Sequence, residues 1–184
     1  MAKQKVRPIV SPQATSAYAW LARPDEGQEF SDGKYKVTLV LDKNDEEAKA
    51  FIADVKKEAE ALAKQAWETI PKNFRYPFKD GDDSEKEEFH GKWLLTAKTK
   101  FQPGFVGPDN KAIDEDNIPS SGDIIRASFS LKEYATGGGK GVTSQLRNVK
   151  LIEKRNMSSG PSNDFGDPID DAPSESKDDF DIAI

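Results

Sequence analysis

Residues 34–41 (KYKVTLVL) alternate, with Tyr35, Val37, Leu39 and Leu41 on one side and Lys34, Lys36, Thr38 and Val40 on the other. A period of two predicts a strand with one buried face. The aromatic and apolar run SAYAWLA at 16–22, stopped by Arg23 and Pro24, predicts an earlier strand. From Asp45 to Ile70 the period changes: Ala48, Phe51, Ile52, Val55, Ala59, Leu62, Ala63, Ala66, Trp67 and Ile70 recur at steps of one, three and four residues. That spacing draws an apolar stripe down one side of a long helix, which packs over a sheet. Asn44 is its predicted N-cap, Glu47 the capping-box partner and Pro71 the stop.

Residues 71–90 read as a loop with turns at Pro77 and Asp80-Gly81, and strands are predicted at 91–101, 123–134 and 141–154. In the first of these, Trp93, Leu95, Ala97 and Phe101 fall on one face, opposite Lys92, Lys98 and Lys100. In the second, Ile125, Ala127, Phe129 and Leu131 oppose Arg126, Ser128, Ser130 and Lys132. A Gly, Pro and Asp rich connection spans 102–122, and TGGGKG at 136–141 is a hairpin loop. Five strands with one long helix predict a mainly β fold, a five-stranded Greek-key barrel of the OB type, with a β-sandwich as the competing architecture.

Charge divides the chain in two. Residues 156–184 carry eight acids and one lysine, a net −7 that leaves +1 on residues 1–155. A segment rich in Ser, Pro, Gly and Asp cannot offset its ordering entropy by burial, so 156–184 is expected to be a disordered tail on a folded domain of residues 1–155. Its last residues, Asp178, Asp179, Phe180, Asp181, Ile182, Ala183 and Ile184, place apolar side chains among and after the acids. Acids that steer and apolar groups that insert suit a short docking peptide.

Much catalytic chemistry is excluded. The chain has no cysteine and one histidine, His90, which rules out thiolate or multi-histidine metal sites and cysteine nucleophiles. The stretch 80–91 (DGDDSEKEEFHG) begins like a calcium loop, but its sixth residue is Glu85 and its twelfth Gly91. The run GGGKG at 137–141 lacks the Ser or Thr and the first Gly of a phosphate loop. No cofactor or metal is expected. No apolar run reaches signal-peptide or membrane-span length, so a soluble, intracellular protein without a membrane partner is expected.

One constellation points to chemistry: cations on outward strand positions, bracketed by aromatics, suit unpaired nucleic acid, where cations track phosphates and rings stack on bases. The candidates are Tyr18, Trp20, Lys34, Lys36, Lys98, Lys100, Phe101, Phe105, Arg126, Lys132, Tyr134, Lys140 and Arg147. The competing account makes each ring a core residue and each cation a solvated one. It fits Tyr35, Trp93 and Phe129 best, since they share faces with apolar neighbours.

The ordered series KYKVTLVLDK (34–43), long helix, YPFKDGDD (76–83), GKWLLTAKTKFQPGFVGPDNK (91–111) and SGDIIRASFSLKEYATGGGKGVTSQLRNVKLIEK (121–154), with its acidic tail, resembles the single-stranded-DNA-binding proteins of tailed bacteriophages. The resemblance covers most of residues 15–154. It implies an OB fold, sequence-independent coating of single-stranded DNA in replication, recombination and repair, and action in the cytoplasm of an infected bacterial host. It also implies a tail, here Asp178 to Ile184, that contacts replication or recombination proteins and competes with DNA for the groove. No enzymatic activity is expected. A non-catalytic adaptor of a replication or recombination complex is the alternative, and a nuclease using the acids of 80–88 is disfavoured for want of paired ligands on strands. The pattern does not fix the oligomeric state, and a homodimer is compatible with it.

Overall fold

The computed structural model describes residues 8–27 and 31–155. Nine elements matter: β1 (Ile9–Val10), β2 (Ala14–Trp20), β3 (Tyr35–Asp42), α1 (Glu46–Trp67), β4 (Phe78–Asp80), β5 (Lys92–Thr99), β6 (Gly104–Val106), β7 (Ile124–Thr136) and β8 (Gly139–Glu153). Strands pair in the order β7-β2-β3-β5-β8, and β8 pairs back onto β7, so the five long strands close a barrel. All these ladders are antiparallel except β5 with β8, where Ala97 lies opposite Ser144 and Lys98 opposite Gln145. One parallel seam closing a five-stranded Greek key is the OB arrangement.

Alternation decides what fills the barrel. Val37, Leu39, Leu95, Ala97, Ile125, Ala127, Phe129 and Val149 are fully or almost fully buried. The helix adds Ala48, Phe51, Ile52, Val55 and Ala59 to the same core, with the Phe51 ring edge-on to Phe129 at 6.0 Å. Tyr35 and Trp93, expected in the core, are half-buried, and Trp93 packs against the core's margin.

Several expectations need correction. The N-cap of α1 is Asp45, whose side chain accepts from the Glu47 N–H; Asn44 instead sits in a turn, its N–H on the Asp42 carboxylate. The helix ends at Trp67 with Glu68 at φ 63, short of Ile70, which is left exposed. Phe101 does not continue the strand face of Trp93, Leu95 and Ala97: β5 stops at Thr99 and the Phe101 side chain is 79% exposed. Three short strands, β1, β4 and β6, add to the five foreseen. The hairpin loop within 136–141 is only Gly137 and Gly138.

The Asp80-Gly81 turn is structural. A Cβ on Gly81 would sit 2.0 Å from the Phe89 carbonyl oxygen and 2.7 Å from that of Lys92, so only glycine lets these backbones meet. Lys43 bridges the carboxylates of Asp80 and Asp82, and Asp82 also accepts the Gly91 N–H at 2.6 Å. The Lys43 ammonium lowers the Asp80 carboxyl, and the Gly91 N–H followed by Lys43 lowers that of Asp82. His90 ties the same loop, its Nε2 lying 2.9 Å from the Ser84 carbonyl.

Candidate nucleic-acid interface

The parallel seam between β5 and β8 opens at one end of the barrel into a cleft of about 520 Å³. Lys34 reaches it from the start of β3, Lys98, Thr99, Lys100 and Phe101 from the end of β5, Ser130 and Lys132 from β7, and residues 143–147 from β8. Five cations line it, and no carboxylate does. The irregularity in β8 explains one of them. Ser128 lies opposite Asn148 and Phe129 opposite Leu146, so Arg147 is the extra residue of a β-bulge. A bulge re-aims a side chain, and here it turns Arg147 outward while Leu146 and Val149 stay in the core.

Phe101 stands at the rim, held by its N–H on the Thr99 hydroxyl at 3.2 Å. Among the described residues, the side chains of Lys34, Lys100, Lys132 and Arg147 form no ion pair or hydrogen bond. Lys98 is different. Asp32 accepts from it at 3.0 Å and from Lys36 at 3.3 Å, and Asp25 pairs with Lys36 at 2.6 Å. Burial would raise the Asp32 carboxyl, but hydrogen bonds from Lys98, the Lys34 N–H and Lys36 outweigh it and hold it at about 2. Asp25 and Asp32 were not foreseen. Their signal in the sequence is only their position beside the strand that begins at Lys34, since acids in a polar loop look solvated.

The cleft thus gathers six of the thirteen candidates: Lys34, Lys98, Lys100, Phe101, Lys132 and Arg147. Lys36 borders it, locked between two acids. The rest lie elsewhere. Tyr18, in a bulge of β2 with φ 47, is 48% exposed and bonded to Lys86, and its ring lies 6.0 Å from Phe89. Trp20 lies beneath Arg23, 5.8 Å away, in a separate hollow with Ile118. Phe105 packs half-buried on the core from β6. Arg126 donates to the Ser11 carbonyl at 2.9 Å and secures the β1 edge. Tyr134 and Lys140 sit near the tip of the β7–β8 hairpin, Lys140 5.4 Å from the Trp67 ring centre. The tail residues Asp178 to Ile184 lie outside the described residues.

An acid-free cleft with cations along two strand edges and an exposed ring at its lip offers phosphate neutralisation and stacking. Among the described residues no three His, Cys, Asp or Glu side chains gather as a metal site.

Comparison with known proteins agrees on the fold. The fold is similar to that of the single-stranded-DNA-binding protein of bacteriophage Enc34 in complex with single-stranded DNA, with TM-score 0.69 and 20% identity over 82% of this chain and 88% of that one. It is similar also to the single-stranded-DNA-binding protein encoded by bacteriophage T7, with TM-score 0.63 and 23% identity over 90% of this chain and 96% of that one. No curated protein matches. The family model described as the single-stranded-DNA-binding protein of Enterobacter phage Enc34 matches residues 8–181, nearly the whole sequence, and the chain therefore belongs to that family of phage proteins.

Proposed function

We propose that this protein coats and protects single-stranded DNA during phage DNA replication, recombination and repair, using the β5–β8 cleft without reading bases. The observation that carries the reading is the set of four cations, Lys34, Lys100, Lys132 and Arg147, unpaired among the described residues, around one exposed ring, Phe101. Cations left unpaired in an acid-free cleft attract a polyanion, and a ring at the lip stacks only on bases that are not already paired. The Enc34 relative is a single-stranded-DNA binder in the same fold. The acidic tail, in this reading, recruits replication or recombination proteins in the cytoplasm of the infected host. Binding to fluorescent oligo-dT and to a duplex of equal length tests the core of the proposal. Oligo-dT is expected to bind much more tightly, and equal affinities would overturn it.

A further inference from the structure

The strand ladders draw one row of side chains across the outside of the barrel. Trp20 on β2 pairs with Lys36 on β3, Lys36 with Lys98 on β5, Lys98 with Gln145 on β8, and Gln145 with Ser130 on β7. Residues directly opposite each other share a face of the sheet, so these five share the outer one. Lys98, Gln145 and Ser130 line the cleft. Trp20, at the other end of the row, lines a hollow of about 290 Å³ with Arg23, Ile118 and Pro119. Three strand spacings of ~4.8 Å, about 14 Å in all, take the row from Trp20 to Gln145. The hollow and the cleft are therefore neighbours on one face.

The hollow offers what an unpaired base requires. Trp20 is half-buried, and the guanidinium of the exposed Arg23 lies 5.8 Å from its ring centre. Arg23 forms no ion pair among the described residues. Aromatic rings and guanidinium planes both stack on splayed bases. The hollow's lining also includes the exposed carboxylate of Glu115, which disfavours a phosphate there but not a neutral base.

Phosphates fit the two lysines in between. Asp25 and Asp32 hold the Lys36 ammonium at 2.6 and 3.3 Å, and Asp32 holds that of Lys98 at 3.0 Å. These carboxylates stand over the middle of the row, where the backbone of a strand passing from cleft to hollow has to run. Exchanging a carboxylate oxygen for a phosphate oxygen leaves each ammonium paired, so the crossing swaps ion pairs and strands no charge.

We propose that DNA bound in the cleft continues across β5 and β3 to the Trp20–Arg23 hollow, where a second unpaired base stacks, and that its phosphates replace Asp25 and Asp32 on Lys36 and Lys98. The proposal rests on the single-stranded-DNA reading of the cleft and extends it to a second base site on β2. Phe101 and Trp20 then mark the two ends of one path that runs across the strands.

The test is ¹H–¹⁵N NMR of the full chain with oligo-dT of about 12 nucleotides, within the ~4–16 that one OB fold covers. The Trp20 indole N–H, assigned by its loss in Trp20→Phe, and the Lys36 amide are expected to shift together with Thr99, Ser130 and Thr143 in the cleft. The Trp93 indole, at the opposite end of β5, is expected to stay in place. In titrations, Trp20→Ala should weaken oligo-dT binding about 5- to 150-fold, the equivalent of one stacked base, and Trp20→Phe should retain most of the affinity. Arg23→Ala changes an exposed side chain and should weaken binding without moving the Tm, which keeps the hollow testable if Trp20→Ala folds poorly. Shifts in the cleft with a silent Trp20 indole would overturn the proposal and leave the single-stranded-DNA reading intact. A shifted Trp20 indole with parental affinity in a folded Trp20→Ala would also overturn it, since the ring would then be a bystander. No shift in either place would overturn both readings.

Discussion

The two ends of the barrel use basic side chains in opposite ways. At the cleft end, Lys34, Lys100, Lys132 and Arg147 form no ion pair among the described residues, and their charge is available to an incoming polyanion. At the other end, Lys43 bridges Asp80 and Asp82, and Lys92 pairs with Asp42 at 3.1 Å. Those lysines fasten a turn and a strand pair to each other, and their field is largely cancelled locally. Charge in a sequence is therefore not evidence of a binding surface until its partners are counted. Lys98 and Lys36 mark the boundary, since both lie at the cleft end yet are held by acids.

This contrast can be broken at either end, and the largest effect is expected at the structural one. Gly81→Ala forces a Cβ against two backbone carbonyls that cannot rotate away. It should cost about 3 kcal/mol of unfolding free energy in urea titration, as overpacking against fixed atoms does, while the molecules that remain folded bind oligo-dT normally. At the cleft, Phe101→Ala removes a ring that contributes almost nothing to the core. It should weaken oligo-dT binding by roughly 1–3 kcal/mol, the contribution of one stacked base, without moving the Tm.

Asp32→Asn sharpens the comparison by converting a held cation into a free one. Oligo-dT affinity should rise by about two- to fivefold at low salt, where screening is weakest, with a stability loss below about 1 kcal/mol because Lys36 keeps Asp25. The acid limb of stability carries the same signature. The Asp32 carboxyl lies at about 2 in the folded protein against an ordinary 3.8. Its contribution is therefore complete above 3.8 and lost as pH falls through about 2. The Asn variant should lack that part of the acid transition in a pH-dependent melt. The smallest effect is expected from Lys92→Ala, an exposed pair that should cost about 0.2–1 kcal/mol of stability and leave DNA affinity unchanged.

The long strands were legible because alternation at Tyr35 to Leu41 and at Ile125 to Leu131 follows directly from one face being buried. The strands of two or three residues, such as Ile9–Val10 and Gly104–Val106, are too short to show any period and exist through pairing with β7 and β8. The helical stripe overran its helix because Ile70 keeps the spacing after Glu68 has left helical geometry. Phe101 continued the strand-face count on paper, but β5 ends two residues earlier.

For the site, outward alternation picked out Arg126 and Lys132 equally. Their separation along β7 puts one under the β1 edge and the other in the cleft. Which cations converge depends on the parallel β5–β8 closure, a contact between residues far apart in the chain. No local pattern encodes it.

The account's central claim is that DNA binding belongs to the cleft end and not to positive charge in general. Fluorescence titration of oligo-dT against two full-length variants tests it directly. One carries Lys100→Ala, Lys132→Ala and Arg147→Ala, and the other Lys79→Ala, Lys92→Ala and Lys154→Ala, so both lose the same charge. The first should lose most of its affinity at 0.1 M salt and lower the slope of log K against log salt by about 2, at ~0.7 per phosphate contact. The second should keep the parent's slope. Equal losses in the two variants, or a larger loss in the second, would contradict the assignment of the cleft as the DNA site.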